Sequence, residues 1–99
     1  MQADYAESFD REMGCTEDEL LQWLPGATRG RQLTLGSQTA SVSFEAGRLV
    51  LTWQTLPPRQ IALLRLPRLA VSFRFSGISE PSRHDFMRYF DLYTQRGGG

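Results

Sequence analysis

The period of apolar positions changes twice along the chain. Tyr5, Phe9 and Met13 recur every fourth residue with Glu7, Asp10 and Arg11 turned away, a spacing that predicts a short amphipathic helix over about residues 4–13, ended by Gly14. Thr16 followed three residues later by Glu19 is a capping-box signature, in which the hydroxyl accepts from a free first-turn N–H and the carboxylate reaches back to the cap. It opens a second helix over about 17–24, with Leu20, Leu21, Trp23 and Leu24 on its apolar side and Pro25–Gly26 as its stop.

From about residue 31 to residue 75 the period is two. Leu33 and Leu35, then Ala40, Val42 and Phe44, then Leu49, Leu51 and Trp53 alternate with mostly polar neighbours, and Gly36–Ser37 and Ala46–Gly47 supply short turns between these strands. Pro57 and Pro58 lack the N–H groups that a ladder needs, which predicts a wider connection there. Pro67–Arg68, between "IALLRL" and "LAVSFRF", reads as a tight hairpin. The last strand is the clearest, with Leu69, Val71, Phe73 and Phe75 facing in and Ala70, Ser72 and Arg74 facing out. Connections this short require antiparallel neighbours.

After Gly77 the period returns to that of a helix, over about 83–95, with Ser82 as cap and Asp85 three residues on. Phe86, Tyr89, Phe90 and Tyr93 form its aromatic stripe, His84, Arg88, Asp91 and Gln95 its opposite face, and a glycine tail follows at 97–99. The expectation is one α+β domain over 1–99 in two layers. An antiparallel meander of about five strands packs on the N-terminal helices and one C-terminal helix. Thr34, Ser41, Ser43, Glu45, Arg48, Thr52, Gln54, Ser72 and Arg74 lie on the uncovered sheet face.

Composition narrows the function classes. A chain of 99 residues, 40% hydrophobic and 22% charged, is long enough for one core and too apolar for a disordered segment. The N-terminus carries acids and no long apolar run, and no stretch approaches a membrane span, so a cytoplasmic protein with no membrane partner is expected. Cys15 is the one cysteine and His84 the one histidine, a pair that makes neither an internal disulfide nor a structural zinc site. No metal and no cofactor are expected.

Charge is balanced in total but divided by position. Residues 1–24 hold seven acids against Arg11, and residues 25–79 hold seven arginines against Glu45. Two halves that lie side by side and neutralise one another account for such a split.

No residue pattern names a reaction. Cys15 precedes a helix start, but Glu17, Asp18 and Glu19 follow it at once and oppose a thiolate, so an unreactive, partly buried thiol is expected. His84 and Asp85 are neighbours on a helix and point about 100° apart, which is wrong for a carboxylate that orients an imidazole. "GATRGRQ" has neither the lysine nor the spacing of a phosphate-binding loop. A non-enzymatic protein-interaction module or homodimer is therefore the leading expectation, with sheet-face contacts at Arg48, Thr52, Arg65, Ser72 and Arg74. A nucleic-acid or polyanion binder using Arg48, Arg59, Arg65, Arg68 and Arg74 is second, although Trp53, Phe73 and Phe75, the rings that would stack on bases, all alternate inward.

The chain ends in Gly97, Gly98 and Gly99, and this ending resembles that of ubiquitin-like sulfur carriers, which close with two glycines. The resemblance covers those residues alone and implies a carrier tail at Gly98 and Gly99, whose terminal carboxylate an activating enzyme would adenylate. In that family the tail leaves a strand, whereas here it follows a predicted helix.

Overall fold

A computed structural model describes residues 5–98 of the chain. In chain order the elements are β1 (Ser8–Met13), α1 (Glu17–Ala27), β2 (Leu33–Gly36), β3 (Thr39–Ser43), β4 (Arg48–Ile61), β5 (Leu64–Ser76) and α2 (Glu80–Gly98). The strands form one antiparallel sheet in the order β1-β5-β4-β3-β2, so β2 to β5 are a meander and β1 closes its far edge beside β5. The two helices cover one face. This is the expected two-layer α+β architecture.

Register shows why the faces differ. Phe9, Phe73, Leu51 and Ala40 sit opposite one another across four strands, and Phe75, Leu49 and Val42 make the next row, so apolar side chains stack in columns toward the helices. Leu20 and Leu24 of α1 and Phe86, Met87 and Phe90 of α2 fill the layer above them, all buried. The Phe90 ring meets Phe73 edge-on with centroids 5.6 Å apart. The uncovered face carries Asp10, Ser72, Thr52 and Thr39 in one row and Arg74, Val50 and Ser41 in another.

The helix predicted at 4–13 is a strand. A four-residue spacing is also an even spacing, so Phe9 and Met13 share a face in a strand as readily as in a helix. The intervening inward position is Arg11, a charge that hides the alternation from a hydrophobic count. Pairing decides the outcome, because β5 would otherwise present a bare edge, and β1 covers it from Ser8↔Arg74 to Met13↔Leu69.

Two predicted breaks between strands are also absent. The chain runs straight through Pro57–Pro58 as β4 and through Pro67–Arg68 as β5, and it turns instead at Ala62 and Leu63. Four strands rather than five lie within 31–75, and β1 brings the sheet to five. The prolines are tolerated because β3 pairing stops at Thr52 and β1 pairing stops at Leu69, which leaves them on free edges where a missing N–H breaks no ladder. A register shift between Leu56 and Arg59 absorbs the Pro57–Pro58 step.

Both helices outrun their predicted ends. The capping box of α1 is as expected, with Glu19 N–H donating to Thr16 Oγ1 and Thr16 N–H to Glu19 Oε1, but the helix continues through Pro25 to Ala27. Thr28 closes that extra turn by donating its N–H and its hydroxyl to the Leu24 carbonyl. In α2 the start is Glu80 rather than Ser82–Arg83, since Pro81 in a first turn forfeits an N–H that has no intrahelical partner. The backbone of Gly97 and Gly98 continues α2, and Gly99 lies outside the described residues.

Candidate interaction surface

Beyond Thr52 and Leu69 the β4–β5 pair has no neighbouring strand on either side, so residues 56–68 stand out from the sheet as a two-stranded arm. The register Arg59↔Leu66 and Ile61↔Leu64 places these four side chains on one face of the arm, continuous with the uncovered face of the sheet. Gln60 and Arg65 share the other face. At the turn, Leu63 is 97% exposed, followed by Leu64 at 61%, Ile61 at 49% and Leu66 at 41%. Water meets an apolar cluster here that nothing within the described chain covers.

An isolated hairpin is marginal in water, and one with a leucine-rich face bears a solvation cost as well. Its turn adds strain, because Ala62 sits at φ 52°, a region that L side chains with a Cβ avoid. Sequence periodicity alone did not isolate this feature. The signal was "IALLRL", an apolar run whose alternation is broken and whose flanking prolines forbid a central strand.

The base of the arm is electrostatically fixed. Glu12 of β1 accepts two hydrogen bonds from Arg68, at 2.9 and 3.0 Å, and lies 3.6 Å from Arg59. The Arg68 guanidinium holds the Glu12 carboxyl below its ordinary range. Next along the uncovered face, Arg74 pairs with Asp10 at 3.1 Å, and the Ser72 hydroxyl first, then Arg74, draw the Asp10 carboxyl down as well.

Of the residues named from sequence, Thr52, Ser72 and Arg74 do share the uncovered face, with Thr52 directly opposite Ser72 and Arg74 opposite Val50. Arg48 is exposed at the far end of β4, opposite Ser76. Arg65 belongs to the arm, on the face opposite to Leu64 and Leu66. Among the described residues Arg48 and Arg65 enter no ion pair, whereas Arg59, Arg68 and Arg74 do. The structure thus splits the arginine set into a neutralised group and two free members.

Between the end of β1 and the two helices lies a cleft of about 320 Å³. Its walls include Met13, Gly14 and Cys15 at the end of β1, Trp23 of α1 and Thr94 and Gln95 of α2. Trp53 donates from its indole Nε1 to Glu17 Oε2 at 2.6 Å, which ties the acidic first turn of α1 to β4 near this point.

Deeper in, Arg11 and Asp91 form a pair that sequence reasoning separated. The Asp91 carboxylate receives Arg11 Nη1 at 2.6 Å and the Tyr5 hydroxyl at 2.8 Å, and the guanidinium lies 5.2 Å from the Phe73 ring centroid. The spacing puts Asp91 on the polar side of its helix, and it does leave the aromatic stripe, but it points at β1. Burial, and then the hydrogen bond to Asp91, push the Tyr5 hydroxyl up.

Cys15 is buried, and burial first and the Glu19 charge second push its thiol up to about 11. Native protein at pH 8 is therefore expected to resist iodoacetamide and to label only when a denaturant exposes the thiol. Labelling of the folded chain at the rate of a free thiol would contradict this. Among the described residues no group of three or more His, Cys, Asp or Glu side chains is placed to hold a metal ion, and no helix is long and apolar enough to cross a membrane. No family model matches the chain, and neither a curated protein nor a solved structure matches it.

Proposed function

We propose that the chain is a non-enzymatic interaction module whose contact element is the β4–β5 arm. The observation that carries this reading is the 97% exposure of Leu63 at the tip, with Leu64, Ile61 and Leu66 beside it. Apolar side chains gathered on one projecting element favour a partner that removes them from water, at about 25 cal/mol per Å² of apolar surface covered. The arm gives that surface reach, and the Glu12–Arg68 hydrogen bonds brace it. A buried thiol with a raised pKa supports a structural rather than a nucleophilic role for Cys15. A cytoplasmic setting belongs to the same reading.

Leu63→Ser/Leu64→Ser tests it, because both positions are solvent-exposed and the fold should melt as the parent does. Parent and variant serve as baits in nuclease-treated extract, and partners that the parent retains and the variant loses are the predicted result. A variant that keeps every partner would reject the arm as the contact element.

A polyanion reading draws on Arg48 and Arg65, the arginines without an ion-pair partner among the described residues. Binding that nuclease abolishes and that weakens steeply with salt would favour it over protein contact.

A further inference from the structure

We infer that the partner of the arm is the surface of an anionic lipid bilayer, which the leucine tip enters while the arginines behind it meet the lipid phosphates. The inference rests on the arm being the contact element, and what it adds is the occupant. Charge, depth and the chemistry of the tip each point to that occupant.

Residues 46–79 contain five arginines and no acid, and three of the five, Arg59, Arg65 and Arg68, lie in the arm. The register puts Arg59 on the leucine face and Arg65 on the opposite face, so cations flank the tip on both sides. Among the described residues Glu12 is the one carboxylate that pairs with them, and it is shared by Arg59 and Arg68. Three guanidinium charges against one carboxylate leave an excess of two. A partner that complements this element offers negative charge beside an apolar interior.

The spacing along the arm matches a lipid interface. Arg65 is two residues from Leu63, and Arg59 is paired with Leu66, three residues from it, which sets these arginines about 7 and 10 Å behind the tip at the usual strand rise. Apolar groups of surface-bound proteins enter a bilayer by about 5–10 Å. When Leu63, Leu64 and Ile61 reach the acyl boundary, both guanidiniums therefore stand among the phosphates, and their long stems let the charged heads stay there. Glu12 is paired with Ala70, about 24 Å from the tip on the same count. The acid lies more than one Debye length of about 8 Å behind that collar and opposes the approach little.

The tip chemistry fits a fluid partner better than a protein pocket. Residues 56–68 hold no aromatic side chain, and the exposed apolar groups are leucine and isoleucine on a projecting turn. Protein hot spots favour Trp, Tyr and Arg seated in packed pockets, with leucine under-represented, whereas an acyl layer needs no matching shape. Pro57, Pro58 and Pro67 withhold N–H groups from the arm, which disfavours a partner strand that extends the ladder. The expectation of no membrane partner rested on the lack of a spanning segment, and a surface contact of this kind needs none.

Co-sedimentation of the intact chain with vesicles tests the proposal. The parent is expected to pellet with vesicles of equal parts phosphatidylglycerol and phosphatidylcholine, to ignore phosphatidylcholine alone, and to be released as salt rises. Leu63→Ser/Leu64→Ser keeps every charge and should weaken binding by more than about a hundredfold. Arg65→Gln should weaken it about fivefold, and Arg59→Gln/Arg65→Gln about thirtyfold. Insertion is read separately. Cys15 is buried, so Leu63→Cys accepts an environment-sensitive fluorophore selectively in the native protein. Its emission should shift to the blue on the anionic vesicles, while the same dye on Thr52→Cys, on the uncovered sheet face, should not shift.

A parent that ignores anionic vesicles while the double serine variant still loses captured proteins would overturn the bilayer as occupant and leave the interaction reading intact. If neither vesicle binding nor capture responds to the arm, both fall. Equal binding to phosphatidylcholine alone would overturn the anionic surface, and equal shifts at positions 63 and 52 would overturn insertion by the tip.

Discussion

Replacing Phe73 with alanine is expected to destabilise the domain by about 3–5 kcal/mol. Phe73 is fully buried at the crossing of both layers: its ring lies 4.8 Å from Phe9 in a stacked arrangement and meets Phe90 edge-on. Truncation removes the transfer energy of the ring and leaves a cavity bounded by a strand on one side and α2 on the other, neither of which collapses freely. A small domain holds only about 5–15 kcal/mol in all. At about 4–8 °C per kcal/mol for a chain of this size, the melting temperature should fall by more than about 12 °C. Thr52→Ala, on the uncovered face, should move it little. A Phe73→Ala variant that melts with the parent would mean that the helices cover the opposite face of the sheet.

That inner face was legible in the sequence because alternation there is uninterrupted. Leu49, Leu51 and Trp53, like Leu69, Val71, Phe73 and Phe75, are all buried, as their spacing predicts. Legibility failed where one local signal has two physical meanings. A proline denies a hydrogen bond to a central strand but costs nothing on a free edge, so Pro57–Pro58 and Pro67 read as breaks until the absence of neighbours beside them is known. The site suffered from the same ambiguity. "IALLRL" reads as a strand that meets the next one in a hairpin at Pro67–Arg68, whereas pairing places it at the tip of an arm with the turn at Ala62–Leu63 and no layer above it. The sheet-face residues Thr52, Ser72 and Arg74 were placed correctly by parity alone, yet parity could not say that Arg74 is already engaged by Asp10. That engagement depends on β1, whose four-residue spacing concealed a strand.

The same misread strand hides the polar contact with the largest expected effect. Asp91→Ala should cost about 2–3 kcal/mol, more than an exposed ion pair, because it strips the Arg11 guanidinium and the Tyr5 hydroxyl of their shared acceptor at once. The figure stays below that of a fully buried pair, since the two side chains keep 27% and 31% of their exposure and water partly screens them. Arg11→Met should cost less than Asp91→Ala. Methionine keeps an apolar chain beside the Phe9 and Phe73 rings, whose centroids lie 5.5 and 5.2 Å from the Arg11 guanidinium carbon, and the carboxylate left behind still has Tyr5 and some solvent. The informative quantity is the double-mutant cycle. If the pair acts as a unit, Arg11→Met/Asp91→Ala will be more stable than the sum of the single losses by more than about 1 kcal/mol, because the second substitution removes the charge that the first left unmatched. Strictly additive losses would show that the ladder from Ser8 to Met13 holds β1 alone. Coupling would show that α2 reaches across the inner face to fix the strand, and with it the Glu12 carboxylate that braces the arm.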